Sequence, residues 1–211
     1  MDGTLIDSER LWTRALDDTA AWLGGSLSDD VRPQMLGAGT ARLVELVHEE
    51  VGVDGDQAVT AAYLNERVAA SMASELAWRP GAPELLRAVE AAGVPAALVT
   101  STERQLAAVC LDMIGQHYFA VTLYGDEVQQ RKPHPEPYLT VASRLGVEPG
   151  RCVAIEDSPA GIAAAEAAGC TVLAVPSEVA IEPGPGRTVR SSLVGLTVDD
   201  LDALVRARLA G

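Results

Sequence analysis

A small set of side chains in this sequence could together act on a phosphate group. They are the carboxylates of Asp2, Glu156 and Asp157, the hydroxyl of Thr100, and Lys132, which is the one lysine among sixteen basic residues. Carboxylates suit Mg²⁺ binding and proton transfer, and a lysine can balance the charge of a phosphoryl group. If the fold brings these residues together, they form a site for magnesium-assisted phosphoryl transfer.

A run of hydroxyl residues, Thr100 to Thr102, follows the apolar stretch AALV and precedes a predicted helix that opens with Glu103 and Arg104. Hydroxyls and free main-chain amides at the start of a helix can bind phosphate, because the helix dipole adds to their hydrogen bonds. The commoner role of such residues is to cap the helix. The sequence leaves both roles open for this run.

Lys132 stands directly before Pro133, and a residue in that position is held in an extended conformation. This can direct the ammonium group back toward the ends of the strands, where it could balance a phosphoryl group and carboxylates. The alternative is a solvated loop lysine. The absence of any other lysine from the sequence makes that alternative less attractive.

Two adjacent carboxylates, Glu156 and Asp157, close the apolar stretch CVAI. They repel each other there unless a cation or a lysine offsets their charge. Mg²⁺ usually binds one or two protein carboxylates and keeps several waters, so it fits this pair. The alternative is that Asp157 caps the helix beginning at Pro159 and that Glu156 lies on the surface.

The elements that must position these residues change in kind at Arg79. Residues 8 to 77 have helical periodicity, with helix starts near 8, 28, 40 and 56, and the last helix has the apolar stripe Val59, Tyr63, Val68 and Met72. After residue 80, predicted helices alternate with predicted strands, the strands lying at 95–100, 119–124, 152–156 and 171–175.

This alternation predicts an α/β fold with a doubly wound parallel sheet, formed by residues 1–7 and 80–211, and a helical-bundle domain inserted at residues 8–79. In such sheets ligands bind beyond the carboxyl ends of the strands. Asp2, Thr100, Lys132 and Asp157 all fall at that edge, which their purely structural roles would not require.

Composition narrows the class of partner. The chain has 211 residues, is 48% hydrophobic and carries a formal net charge of −14, so we expect a folded protein that does not bind nucleic acid or an anionic membrane. No apolar run approaches the roughly 20 residues of a membrane span. Three cysteines without metal-type spacing indicate a reducing compartment, and we expect a cytoplasmic protein whose oligomeric state the sequence does not indicate.

The sequence resembles the haloacid dehalogenase-like hydrolase superfamily, in the branch with a helical cap after the first motif, through the ordered motifs DGTLIDSE, VTST, RKPHPEPY and IEDSPAGIAAAEAAG. The resemblance covers nearly the whole chain, with residues 8–77 as the cap. It implies a Rossmann-like core, an aspartyl-phosphate mechanism and one Mg²⁺.

By position, the resemblance makes Asp2 the general acid/base, with its main-chain carbonyl a metal ligand. It makes Thr100 and Ser101 phosphate-binding residues and Lys132 the charge-stabilising lysine. It also makes Glu156 and Asp157 the metal-binding acids, with Asp7 and residues 79–81 as the two hinges to the cap. We further expect Gly3 and Thr102 to contribute to phosphate binding and Arg104 to help bind the substrate.

The family's first motif is D-x-D-G-T, and Met1 occupies the x position. The nucleophilic aspartate is therefore expected immediately before Met1. Three explanations are a start codon assigned too late, a trimmed chain and a genuine pseudoenzyme. We favour the first, because a pseudoenzyme has no reason to keep Lys132 together with Glu156 and Asp157.

Several reactions occur in the family. An acid at Asp2 disfavours dehalogenation, which has no leaving group to protonate, and a cap without lysine disfavours the Schiff-base chemistry of phosphonate hydrolysis. A sugar-phosphate mutase would need basic residues near the neutral stretch 36–40, although Arg32 and Arg42 could reach it. We expect a phosphatase for a small phosphorylated substrate, with a mutase or a non-catalytic binding module as the alternatives.

Overall fold

The computed structural model describes residues 1–35, 37–177 and 179–210, and Leu36, within the neutral stretch noted above, lies outside them. The helices are α1 (Glu9–Trp22), α2 (Arg32–Met35), α3 (Thr40–Val51), α4 (Gln57–Glu75), α5 (Ala82–Ala91), α6 (Arg104–Ile114), α7 (Glu136–Leu145), α8 (Pro159–Ala168) and α9 (Val198–Leu209). The strands are β1 (Ala97–Val99), β2 (Val121–Leu123), β3 (Val153–Glu156), β4 (Thr171–Ala174) and β5 (Arg187–Val189). Short 3₁₀ turns lie at Gln116–Tyr118 and Pro149–Arg151.

Every strand pairing in the described residues is parallel, as expected when helices connect successive strands. The strands form two ladders, β1 beside β2 and β3-β4-β5 with β4 in the middle. The predicted α/β class with parallel strands is confirmed. The pairing differs from one continuous sheet, and Lys132 joins the ends of β1 and β3 by donating hydrogen bonds to both.

The helices before residue 77 pack on one another, chiefly α1 against α4 and α3 against α4. The buried face of α4 consists of Thr60, Leu64, Val68 and Met72, whereas Val59 of the predicted stripe is exposed. Val68 and Met72 are buried as predicted, but Thr60 replaces Val59 on the buried face because of a contact with a neighbouring helix. The hydroxyl of Thr60 lies 2.8 Å from Nε2 of buried His48 on α3, so a polar residue is satisfied inside this interface.

Two antiparallel linkers connect these helices to the rest of the chain. The amide of Asp7 donates to the carbonyl of Ala77 at 2.8 Å, and the amide of Arg79 donates to the carbonyl of Leu5 at 2.8 Å. We call residues 8–79 the cap and residues 1–7 with 80–211 the core domain. This division into two domains stays a prediction. The paired linkers support it.

The cap and the core domain share buried apolar contacts as well as linkers. One hydrophobic cluster runs from the cap helices to α6, where Sγ of Cys110 lies 3.4 Å from Sδ of Met72. Burial raises the pKa of Cys110 to about 12 and that of Cys170 to about 11, so both thiols stay protonated at neutral pH. Among the described helices, none is long and apolar enough to cross a membrane.

Candidate active site

A cavity of about 810 Å³ lies between the cap and the core domain. Its core side is lined by Asp2, Thr100, Lys132 and Asp157, together with Ser101, Thr102 and Glu156. The structure therefore brings the predicted set of catalytic residues to one place. The carboxyl ends of β1 and β3 meet at this cavity, which is the reason for the convergence.

The carboxylate of Asp2 is held by hydroxyl donors on both of its oxygens. Ser8 donates to Oδ1 at 2.5 Å, and Thr102 donates to Oδ2 at 2.8 Å. Ser8 is fully buried and directly precedes α1, whereas Thr102 follows β1. The Asp2 carboxylate is thus fixed from the cap side and from the core side at once.

Thr100 lies directly after β1 with its side chain buried. Its hydroxyl accepts a hydrogen bond from the amide of Thr102 at 3.1 Å, which turns the chain at the cavity wall. Ser101 lines the same wall, ahead of α6, which begins at Arg104. Thr100 and Ser101 thus line the cavity, whereas the hydroxyl of Thr102 donates to Asp2.

The ammonium group of Lys132 is bonded to the ends of two strands. It donates to the carbonyl of Val99 at 3.1 Å and to Oε1 of Glu156 at 2.5 Å, and the hydroxyl of Tyr138 donates to the same oxygen. Burial alone would raise the pKa of Glu156, but Lys132 and Tyr138 together hold that pKa below its usual value. Glu156 is therefore a buried, ionised partner that fixes Lys132.

The Asp157 carboxylate accepts hydrogen bonds from side chains that are far apart in the sequence. Thr4 donates to Oδ1 at 2.7 Å and Ser177 donates to Oδ2 at 3.1 Å. Burial raises the pKa of Asp157, and the neighbouring Glu156 raises it further. A cation beside this carboxylate would offset that cost.

The backbone of Gly3 passes so close to Asp157 that a Cβ there would collide with Oδ2 of Asp157 and with the hydroxyl of Ser177. Gly3 also has φ of +66°, in the left-handed region that favours glycine. The Asp2–Gly3 peptide is thus held against Asp157. Gly3 therefore contributes through its main chain, which lies directly beside the Asp157 carboxylate.

The donor set fits Mg²⁺ in part. A buried carboxylate on Asp157 beside a main-chain segment is the kind of hard oxygen site that Mg²⁺ uses with one or two carboxylates and waters. In the described part of the chain, no three His, Cys, Asp or Glu side chains form a group that could hold a metal ion. The expectation that Glu156 binds the metal is not supported, because its carboxylate is paired with Lys132 and Tyr138.

Arg104 does not lie where the sequence suggested. Among the described residues, those lining the cavity do not include it. Its guanidinium pairs with Glu127 and lies 4.4 Å from the ring centre of Tyr124, and its amide donates to Asp126. A substrate contact of Arg104 is therefore not supported, since its partners lie in the 124–127 segment outside the cavity.

Sequence reasoning missed five residues that contact or line the site. Thr4, Ser8, Tyr138 and Ser177 donate hydrogen bonds to its acidic residues, and Trp12 lines the cavity. A partial signal existed for Trp12, which shares one face of α1 with Glu9, Thr13 and Leu16 at helical spacing. Ser177 has no local signal, because its partner lies 20 positions earlier.

Comparison with known proteins agrees with this geometry. The family model "haloacid dehalogenase-like hydrolase" matches residues 1–169. A phosphorylated carbohydrates phosphatase of Thermotoga maritima is 31% identical over 170 residues, covering 80% of this chain and 79% of that protein. Hexitol phosphatase A of Escherichia coli is 30% identical over 207 residues, covering 97% of this chain and 90% of that protein.

Among solved structures, CbbY from Rhodobacter sphaeroides in complex with phosphate has a TM-score of 0.83 at 30% identity, covering 96% of each chain. The match extends over the cap as well as the core domain. The sequence resemblance and the prediction of an enzyme are thereby confirmed, and the chain belongs to the haloacid dehalogenase-like hydrolase family.

Proposed function

We propose that this protein is a Mg²⁺-dependent phosphatase that hydrolyses a small phosphate monoester through an aspartyl-phosphate. The observation that carries the proposal is the convergence of Asp2, Thr100, Lys132 and Asp157 on one cavity. Phosphatase names among its relatives support the reaction type.

Each side chain has a distinct task in this proposal. Thr100 and Ser101 bind the phosphate oxygens, and Lys132, fixed by Glu156, offsets the negative charge that develops on them. Asp2 protonates the oxygen of the leaving alcohol and later takes a proton from the attacking water. The family's D-x-D-G-T pattern assigns the nucleophilic aspartate to the position immediately before Met1.

Asp157 and the main-chain carbonyl of Asp2 would hold the Mg²⁺. When bound, the ion supplies charge neutralisation between the nucleophile and the phosphate. Thr4 and Ser177 keep the Asp157 carboxylate oriented toward that position. Glu156 serves the site through Lys132 and is not a metal ligand in this proposal.

The test is hydrolysis of p-nitrophenyl phosphate by this chain and by the same chain extended with an N-terminal apolar segment ending in Asp. We expect phosphate release that requires Mg²⁺, is abolished by EDTA and is far faster in the extended chain. Lys132→Ala should lower kcat in the extended chain by at least about 100-fold, the loss expected for one preorganised charge-stabilising group. Equal rates in both chains, unaffected by Lys132→Ala, would overturn the mechanism.

The mutase alternative is tested with the same protein. We expect β-glucose 1-phosphate to yield inorganic phosphate faster than glucose 6-phosphate. The reverse order would make the chain a mutase.

A further inference from the structure

Two of the three cysteines lie opposite each other at the amino ends of adjacent strands. The parallel pairing of β3 with β4 places Val153 opposite Thr171, and the residues directly before these two are Cys152 and Cys170. The amide of Thr171 donates to the carbonyl of Cys152 at 3.0 Å, so the ladder continues as far as Cys152. Neighbouring strands lie roughly 4.8 Å apart, and a disulfide can bridge Cα atoms at that separation.

The two thiols also lie on the same face of the ladder. Side chains alternate between the faces of a strand, so Cys152 and Ala154 share one face while Val153 lies on the other. Cys170 is buried in the hydrophobic cluster that contains Ala154, and Cys152 packs against this cluster. Val153 packs instead against the separate cluster that contains Leu173. The side chains of Cys152 and Cys170 are therefore neighbours across the ladder.

The acidity of the two thiols agrees with this placement. Burial, and after it the neighbouring Cys152, raise the pKa of Cys170 to about 11. Burial also raises the pKa of Cys152. Thiolates are therefore scarce at both positions at neutral pH, so reaction with an oxidant is slow there and faster at alkaline pH.

The two thiols differ in exposure, which gives the reaction an order. Cys152 is partly exposed, with its Sγ 3.6 Å from the carbonyl of Glu148, whereas Cys170 is 2% exposed. An oxidant in solution therefore reaches Cys152 first. Cys110 is fully buried in another cluster, where its sulfur neighbour is Met72 rather than a cysteine.

We propose that Cys152 and Cys170 form a reversible disulfide when the protein meets a low-molecular-weight disulfide such as oxidised glutathione. The Cys152 thiolate attacks one sulfur of the small disulfide, which forms a mixed disulfide and releases one small thiolate. The Cys170 thiolate then attacks the Cys152 sulfur, which forms the protein disulfide and releases the second small thiolate. The protons of the two cysteines pass to the released thiolates, so two protein thiols are oxidised and one small disulfide is reduced to two thiols.

The bond closes a covalent loop around the segment that carries acidic residues of the site. Residues 152–170 contain β3, Glu156, Asp157 and α8. The two cysteines lie at the amino ends of β3 and β4, whereas the cavity lies at the carboxyl end of β3. Oxidation therefore constrains the unfolded chain and stabilises the fold, while the groups at the cavity stay as they are.

The test is mass spectrometry after incubation with oxidised glutathione at about pH 8.5, where more of each thiol is ionised. The protein is then unfolded in urea, alkylated with N-ethylmaleimide and cleaved after glutamate, which places the two cysteines in separate peptides, 149–156 and 167–178. We expect these peptides to be joined by a disulfide within one molecule, and Cys110 to be alkylated. Two alkylated cysteines in these peptides, glutathione kept on Cys152 beside an alkylated Cys170, or a link between two molecules would overturn the proposal.

Single variants test the order of attack. Cys170→Ala should accumulate glutathione on Cys152, because the second thiol that displaces it is gone. In Cys152→Ser, the buried Cys170 should remain a free thiol. Glutathione on Cys170 in that variant, formed as fast as on Cys152 of Cys170→Ala, would contradict the order. If Cys170→Ala does not fold, Cys152→Ser still decides.

Thermal unfolding tests the consequence for stability. Oxidation should raise the midpoint of wild-type unfolding by at least about 4 °C, and dithiothreitol should reverse the rise. Cys110→Ala is the matched control and should show the same rise, whereas Cys152→Ser should show none. A rise that is missing in wild type, or present in Cys152→Ser, would overturn the stabilising role.

Activity separates this inference from the proposed phosphatase function. Oxidation should change the turnover of p-nitrophenyl phosphate by the extended chain less than about twofold, because the cysteines lie at the ends of the strands away from the cavity. A larger loss would overturn the claim that the bond acts on stability alone. The peptide and unfolding measurements need no turnover, so they decide the disulfide even if the phosphatase function fails.

Discussion

The ammonium group of Lys132 lies 2.5 Å from Oε1 of Glu156, and both side chains are almost completely buried. The two charges offset each other inside the protein, and because Lys132 also donates to the carbonyl of Val99, one donor of the ammonium group remains to face a phosphate. Because Glu156 closes β3 and Lys132 precedes α7, the pair also ties the two parallel ladders together. In the proposed mechanism, stability and catalysis therefore depend on the same contact.

Lys132→Met should destabilise the protein by about 3–5 kcal/mol, because it leaves the Glu156 carboxylate buried without its cation. Adding Glu156→Gln should recover part of that loss, since the unpaired charge is then removed. Urea unfolding followed by circular dichroism measures both effects. Arg206→Ala is the control, because its ion pair with Asp202 is exposed and should matter little. Additive losses in the double variant would contradict this account of the pair.

Gly3→Ala should lower the free energy of unfolding by more than the left-handed backbone conformation of residue 3 alone would cause. Gly3 and Gly93 have φ of +66° and +67°, but a Cβ at Gly93 would meet nothing within 4 Å, whereas one at Gly3 would collide with Asp157. Gly93→Ala should therefore lower the free energy of unfolding by about 1–2 kcal/mol, the cost of holding an alanine in the left-handed conformation.

Urea unfolding of the Gly3→Ala variant should show a larger loss than that of Gly93→Ala. Mg²⁺ affinity, measured by titration calorimetry, should fall in Gly3→Ala alone. Equal behaviour of the two variants would mean that the close approach to Asp157 has no consequence.

Thr102→Val should lower kcat for p-nitrophenyl phosphate by about tenfold and leave KM nearly unchanged. The substitution removes the hydroxyl that donates to Asp2, and a hydrogen bond to a charged group is worth about 1.5–3 kcal/mol. Arg104→Ala should change kcat and KM by less than about twofold, because Arg104 is paired with Glu127 away from the cavity. The assay uses the N-terminally extended chain. A large loss of activity in Arg104→Ala would restore it as a substrate-binding residue.

Thr197→Ala should destabilise the protein by about 1 kcal/mol, because Thr197 and Asp200 form a capping box at the start of α9. Hydrogen bonds from the Thr197 hydroxyl and amide lower the pKa of Asp200. A lowered folded pKa stabilises the protein above the unfolded pKa of about 3.9, and this stabilisation is lost as pH falls through the folded value.

Thermal unfolding between pH 6 and pH 2.5 measures this dependence. The difference in stability between wild type and Thr197→Ala should be largest near pH 6 and should shrink toward pH 2.5. Asp199→Ala, at the neighbouring position, is the control for the change in helix-end charge. A difference that stays constant with pH would show that the Asp200 carboxylate takes no part.

Much of the site could be predicted because parallel strands bring their carboxyl ends to one edge. Thr100, Glu156 and Asp157 needed only the correct ends of β1 and β3, and local sequence marks those ends clearly. Likewise α7 and α8 begin and end where their caps, apolar spacing and the following Gly146 and Gly169 indicate.

What the sequence could not reveal depends on partners distant in the chain. The family resemblance assigns Glu156 to the metal, whereas its carboxylate pairs with Lys132, 24 positions earlier. Arg104, expected to help bind the substrate, pairs with Glu127, 23 positions later. Thr60 is buried and Val59 is exposed, because the Thr60 hydroxyl is hydrogen-bonded to Nε2 of buried His48. Periodicity and local charge carry no record of such pairings.

Short elements were also beyond prediction. β5 has three residues and follows a loop rich in proline and glycine, so its alternation is too brief to register. The helix predicted to start near residue 28 corresponds to α2, which the structure places at Arg32–Met35. Elements of this length are fixed by the neighbours against which they pack.

The contact between Thr4 and Asp157 joins positions that are 153 residues apart. During synthesis, the loop that carries Asp2 leaves the ribosome long before Asp157, which directly follows β3. A nascent chain that ends within the cap therefore cannot form the site, however well its helices fold. Contacts of this sequence separation close late because their loop entropy is high, so we expect the reactive geometry to appear as one of the last events of folding.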